Sequence, residues 1–139
     1  MCDDTALFGL PEGQRGIFVG GGGTVRIQRV VGTSVMTDMM LTGRLLTAAE
    51  GMQEHIVRYV TPAGGALAKA RELAARVAKN SIETNWMIIN VLPRIHDMSH
   101  DDGLFVEQLN SGRARPPEAE QRLREFVDGK AKKIQDNQG

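Results

Sequence analysis

At 139 residues and 15.2 kDa the chain allows one small domain. Its 17 basic residues balance its 17 acidic ones, which gives no reason to expect nucleic acid or an anionic membrane as a partner. One Trp, one Tyr and four Phe leave little from which to build a base-stacking surface. A hydrophobic content of 41% is ordinary, and Cys2, the single cysteine, excludes an intramolecular disulfide and fits a reducing cytoplasm. No apolar run is long enough to cross a membrane as a helix, and the acidic start Met1-Cys2-Asp3-Asp4 is unlike an export signal.

In chain order, Phe8–Leu10 and Gly16–Val19 read as short strands or extended turns bounded by Gly and Pro. The run Gly20–Gly23 opens a helix over Thr24–Val31 that Gly32 stops, and Thr33–Leu41 forms a second helix. Thr47-Ala48-Ala49-Glu50 has the form of a capping box and starts another. Ile56–Val60 is the best strand by β-branched content. Thr61-Pro62 introduces a long helix over Ala63–Lys79, with Leu67, Ala70, Leu73, Ala74 and Val77 on one face. Ser81 caps the next, through Trp86, Ile88, Ile89 and Leu92, and Pro93 kinks or ends it. His96–Gly103 reads as a polar loop, Leu104–Leu109 as helix and Gly112–Pro117 as a linker. Glu118–Lys133 is a final helix with acids in its first turn, lysines in its last, and Leu123, Phe126, Val127 and Ile134 as apolar positions. The class this predicts is α/β, helix-rich with few short strands. Such strands do not make a stable sheet without partners, so these elements are expected to lean on strands the chain does not contain.

Glu12 and the glycine run are the candidate chemistry. A carboxyl group can move protons, and glycines at a helix entry let backbone N–H groups approach a polarised oxygen. Against this, an acid after Pro11 can be a solvated loop residue, and a glycine run can be a surface turn. The run fits neither the dinucleotide fingerprint nor a P-loop. His96 and His100, four apart among Asp97, Asp101 and Asp102, have no third strong ligand close in sequence, so no metal site is expected. Cys2 has no histidine nearby to activate it. Met36, Met39 and Met40 read as core, and Lys130, Lys132 and Lys133 as a solvated helix end.

The ordered set Met1-Cys2-Asp3, Phe8-Gly9-Leu10-Pro11-Glu12, Gly16-Ile17, Gly20–Thr24, Arg29-Val30-Val31-Gly32, Met40-Leu41-Thr42-Gly43, Ala48-Ala49-Glu50, helix Leu67–Ala78 and Phe126-Val127-Asp128 resembles the crotonase, or enoyl-CoA hydratase/isomerase, family. The resemblance covers nearly the whole chain, weakest between Asn80 and Arg115, but only the C-terminal half of a family member. It implies a partial crotonase-like fold, with 1–79 the C-terminal part of the spiral core and 80–139 a helical region used in subunit association. It implies hydration of a 2-enoyl-CoA, the CoA thioester being substrate and no separate cofactor being needed. Glu12 would be the general acid/base, and the N–H of Gly20 would help hold the catalytic water. A second glutamate, the first oxyanion-hole donor and most of the CoA pocket belong to the other half. The position before the glycine run, usually proline, is Val19. His55 stands where relatives usually carry the glycine of a Gly-Leu-Val run. The family's terminal helix reaches a neighbouring subunit's CoA with a phenylalanine and a lysine three later; Phe126 matches, and Gly129 takes the lysine position with Lys130 next. Expected partners are an acyl-CoA, further copies in a trimer or hexamer, or a complementary N-terminal half, and the expected location is cytoplasmic. The alternatives are an enoyl-CoA isomerase or a non-catalytic, shortened crotonase-like subunit.

Overall fold

The computed structural model describes residues 1–112 and 117–130. They gather into two units, divided between Ala74 and Ala75. In the first, β1 (Cys2–Asp3) pairs in parallel with β4 (Val60–Thr61), Cys2 opposite Val60 and Asp3 opposite Thr61. The Asp3 carboxylate accepts from the Thr5 hydroxyl (2.6 Å), the Thr5 N–H (3.2 Å) and the Gly64 N–H (2.9 Å). It thereby ties the first strand to the turn that follows the last. β2 (Leu7–Phe8) pairs antiparallel with β3 (Leu46–Thr47).

Between β2 and β3 lies α1 (Gly23–Thr42), broken at Gly32, where φ 80 and ψ 158 leave the helical region. The two helical stretches read from the sequence are therefore present, with the break at the expected glycine. Val19, Val31 and Met36 are buried together, with Leu10, Ile27, Val35, Met40 and Ile56 packed around them. α2 (Ala48–Gln53) carries the expected capping box: the Thr47 hydroxyl accepts from the Glu50 N–H, and the Glu50 carboxylate accepts from the Thr47 N–H. His55 follows the C-cap of α2 with φ 67, the one non-glycine positive φ among the described residues. That is the left-handed position that glycine usually fills after a helix.

α3 (Ala66–Val77) crosses the division between the units. The second unit continues with α4 (Ile82–Asn90), α5 (Leu92–Ile95), α6 (His100–Ser111) and α7 (Pro117–Val127). Ser81 caps α4 by accepting from the Thr84 N–H (3.3 Å), as read. Asn85 donates to the Val77 carbonyl at 3.0 Å, closing the end of α3. Gly103 lets α6 approach Ile95, whose Cγ2 would lie 3.3 Å from an added Cβ. Among the described residues, every buried hydrophobic side chain lies between Val19 and Val57.

Three sequence expectations are corrected. Within Ile56–Val60 only Val60 is strand, because Val57 turns into the core and β4 is just two residues long. The helix after Pro62 starts at Ala66, because Gly65 N–H bonds back to the Pro62 carbonyl (2.9 Å) in a turn. Gly16–Val19, read as a short strand or an extended turn, takes the second form, unpaired after a 3-10 turn over Gly13–Arg15. His96–Gly103 is not one loop: Ser99 caps α6, which begins at His100. Of the final helix, Lys132, Lys133 and Ile134 lie outside the described residues, as does most of the linker Gly112–Pro117.

Candidate functional site

Glu12 stands between two anchored runs. On its N-terminal side Phe8 is held in β2, and its ring lies on Gly51, where an added Cβ would come within 2.6 Å of Phe8 Cε2. The bare Cα of Gly9 takes the side chain of Leu45. On its C-terminal side the 3-10 turn Gly13–Arg15 ends at Gly16, left-handed with φ 69. Gly16 N–H bonds the Gly13 carbonyl (3.2 Å) and Ile17 N–H the Glu12 carbonyl (3.1 Å). This nested pair is the bonding that closes a helical turn on a glycine. The backbone of Glu12 is thus fixed from both sides. Its side chain is half-buried, with Oε2 shut from solvent and without a hydrogen-bond partner. Buried carboxylate oxygens are rarely left unpaired, because desolvation then goes uncompensated.

The glycine run forms a tight turn. Gly23 N–H bonds the Gly20 carbonyl at 3.0 Å, with Gly21 at φ 63 and Gly22 at φ 85, a pair of left-handed residues that only glycine adopts readily. Gly22 is the N-cap of α1, its carbonyl accepting from the N–H groups of Val25 (3.2 Å) and Arg26 (2.9 Å). Gly20 itself is exposed, and its N–H donates to no group among the described residues. Val19 is buried in the core, and its Cγ2 would lie 2.8 Å from a Cβ on Gly23, so packing holds the turn where a proline ring is usual.

Glu12 and Gly20 therefore belong to one continuous segment that leads into α1. Beside it an open groove of about 340 Å³ is lined by Phe18, Thr24, Gln28, Thr33, Met36 and Met40. Phe126 and Lys130 lie in the other unit. Phe126 is 69% exposed on α7 and lines a groove of about 390 Å³ with Ser81, Thr84, Arg122 and Leu123. After α7 the chain turns at Gly129, φ 68, with Gly129 N–H on the Phe126 carbonyl (3.1 Å) and Lys130 N–H on the Glu125 carbonyl (2.7 Å). Gly129 thus serves as the left-handed stop, and Lys130 pairs with Asp128 at 3.2 Å. His96 is the C-cap of α5 and His100 the first residue of α6, so the two rings do not share one helix face. No group of three or more His, Cys, Asp and Glu side chains among the described residues is gathered to hold a metal.

Sequence reasoning does not anticipate that the Glu12 turn rests on the end of α1. An added Cβ on Gly13 would overlap the Met40 carbonyl oxygen, and one on Gly43 would overlap the Gln14 amide. The available signal was a glycine on each side of the contact.

Residues 1–113 match the sequence profile of the enoyl-CoA hydratase/isomerase family. The "Probable enoyl-CoA hydratase" of Mycobacterium bovis is 35% identical over 113 residues, covering 78% of this chain and 44% of that protein. The 2,3-dehydroadipyl-CoA hydratase of Escherichia coli is 40% identical over 86 residues, covering 58% of this chain and 34% of its own length. A solved structure described as an enoyl-CoA hydratase from Rhodopseudomonas palustris superposes with a TM-score of 0.84 at 45% identity, over 92% of this chain and 50% of that one. The fold is that of these structures in part. The chain spans about half the length of the relatives it matches.

Proposed function

Because the chain belongs to the enoyl-CoA hydratase/isomerase family, we propose that it supplies the proton-transfer side of an enzyme hydrating 2-enoyl-CoA thioesters in acyl-CoA catabolism. The buried, unpartnered Oε2 of Glu12 carries this reading. Glu12 exchanges the proton at the β-carbon side of the enoyl group, and the free N–H of Gly20 positions the attacking water. The oxyanion hole that stabilises the developing enolate requires a donor from outside this chain. Phe126 and Lys130 at the end of α7 contact the CoA moiety, which arrives as part of the substrate. The assembly is a homo-oligomer or a pair with a chain supplying the remaining half of the fold, in the cytoplasm.

Loss of enoyl absorbance with crotonyl-CoA tests this. The chain by itself is expected to show no appreciable turnover, since losing one oxyanion donor alone costs about 10²–10³ in rate. Joined to, or mixed with, a segment corresponding to the first half of a relative, it is expected to gain activity. Glu12→Gln is then expected to lower kcat by about 10²–10⁴, the worth of general acid–base catalysis. A change below about threefold in that assembly removes Glu12 from the mechanism. The second reading, a non-catalytic subunit, draws on the many exposed apolar side chains of the chain. It predicts association with a complete family member and no activity gained from any added segment.

A further inference from the structure

The sequence motif Leu41-Thr42-Gly43 has no part in the chemistry above, yet the structure brings it to the Glu12 turn. Three contacts join them. The Gly13 Cα lies on the Met40 carbonyl so closely that a Cβ there would overlap the oxygen. The Gln14 side chain fills the space over Gly43 that a Cβ would need, and its Nε2 donates to the Thr42 carbonyl at a long 3.4 Å. Gly43 is free of a side chain for a second reason: it ends α1 at φ 69, with its N–H on the Met39 carbonyl (3.0 Å). These residues touch nothing reactive themselves. They bear on the two residues that follow Glu12, whose carbonyl is bonded across the same turn to Arg15 and Ile17.

We propose that Gly13, Gln14 and the Thr42-Gly43 end of α1 form a seat that sets where the Glu12 carboxyl points, making them positioning residues for its proton transfer. The proposal rests on the reading of Glu12 as the proton-transfer group, but the seat is tested without activity. The side-chain carboxyl 13C resonance of Glu12, assigned by its loss in Glu12→Gln, reports the position of that group. Amide exchange at Arg15, Gly16 and Ile17 reports opening of the turn, and exchange at Cys2 and Asp4, bonded to Tyr59 and Thr61, reports the rest of the unit. Gln14→Ala removes the amide and adds no strain. It is expected to shift the Glu12 carboxyl resonance and to speed exchange at the three turn amides by about fivefold, the worth of one modest hydrogen bond, with Cys2 and Asp4 unchanged. Gly13→Ala, which wedges the turn off the Met40 carbonyl, is expected to shift the same resonance further. Gln14→Glu, which keeps the length of the side chain but loses the donor, separates filling of the Gly43 space from the bond to Thr42. An unmoved Glu12 resonance in both Gln14→Ala and Gly13→Ala overturns the seat, whatever the crotonyl-CoA assay gives. A moved resonance in an assembly with no hydratase activity leaves the seat standing and removes the hydratase reading instead.

Discussion

His55 holds φ 67 after the C-cap of α2, and its ring has Arg58 Nη1 at 3.2 Å for company. Histidine tolerates the left-handed region better than most residues but still carries a Cβ that crowds the backbone there. His55→Gly relieves that crowding while adding freedom to the unfolded chain, two effects of opposite sign. The first is the larger, so a gain of roughly 1 kcal/mol is expected, seen as a rise of about 4–8 °C in Tm for a unit of this size. His55→Ala keeps the positive φ and gives up the Arg58 contact, and is expected to gain nothing; equal Tm for both variants would show that the conformation carries no strain. That a histidine replaces an expected glycine was visible in the sequence; that it would itself hold the positive φ was not. Glu12 and Gly20 were visible as candidates in the same way, by residue type and short-range spacing. The contacts of Gly13 and Gln14 with Met40 and Gly43 were not, since nothing local tells a turn which distant carbonyl it will rest on.

Helices were read well wherever local signals decide them. Gly32 breaks α1, Thr47 and Glu50 cap α2, and Ser81 starts α4. Ser99 was misread although Ser99-His100-Asp101-Asp102 carries the form of a capping box; its polar surroundings suggested a loop. The strand expected over Ile56–Val60 failed for a different reason. β4 is two residues whose identity as strand depends on Cys2 and Asp3 far away in the chain, while the β-branched Val57 that raised the prediction is used for packing. One element also carries a pH dependence. The Thr47 backbone N–H, with the Arg44 guanidinium and the Thr47 hydroxyl, lowers the Glu50 carboxyl from 4.5 to about 2. The Thr5 hydroxyl, with the Gly64 and Thr5 N–H groups, lowers Asp3 as well. A folded-state value below the unfolded one means that the Glu50 contribution is fully present above about pH 4.5. It is lost as pH falls towards 2. The Tm difference between the parent and Glu50→Gln is therefore expected to be constant from neutral pH down to about 4.5 and to shrink below it. A difference that stays level through that range would mean that the carboxylate form of Glu50 does not support the cap.

At the scale of the molecule, what stands out is how little apolar surface is put away. Among the described residues the buried hydrophobic ones are Val19, Val31, Met36, Met39, Leu46, Ala48 and Val57, all in the first unit, which also leaves Phe18, Leu41 and Leu67 exposed. In the second unit Ile82, Trp86, Ile88, Ile89 and Leu92 are exposed on α4 and α5, Leu104, Phe105 and Leu109 on α6, and Leu123, Phe126 and Val127 on α7. The sheet ladders are two residues each, far below what stands alone in water. Contiguous exposed apolar patches beyond a few hundred Å² mark interfaces or aggregation liabilities. The solved structure that shares this fold is about twice as long. The isolated chain is accordingly expected to bind a hydrophobic dye such as ANS and to associate, with itself or with a chain that supplies the rest of the fold. Light scattering coupled to size exclusion, with and without a first-half segment of a relative, measures this directly. Association with that segment should displace the dye and sharpen the thermal transition, because the patch would then be buried against a packed partner. A monodisperse 15.2 kDa species that binds no dye and unfolds cooperatively by itself would mean that the helices cover one another in solution and need no partner.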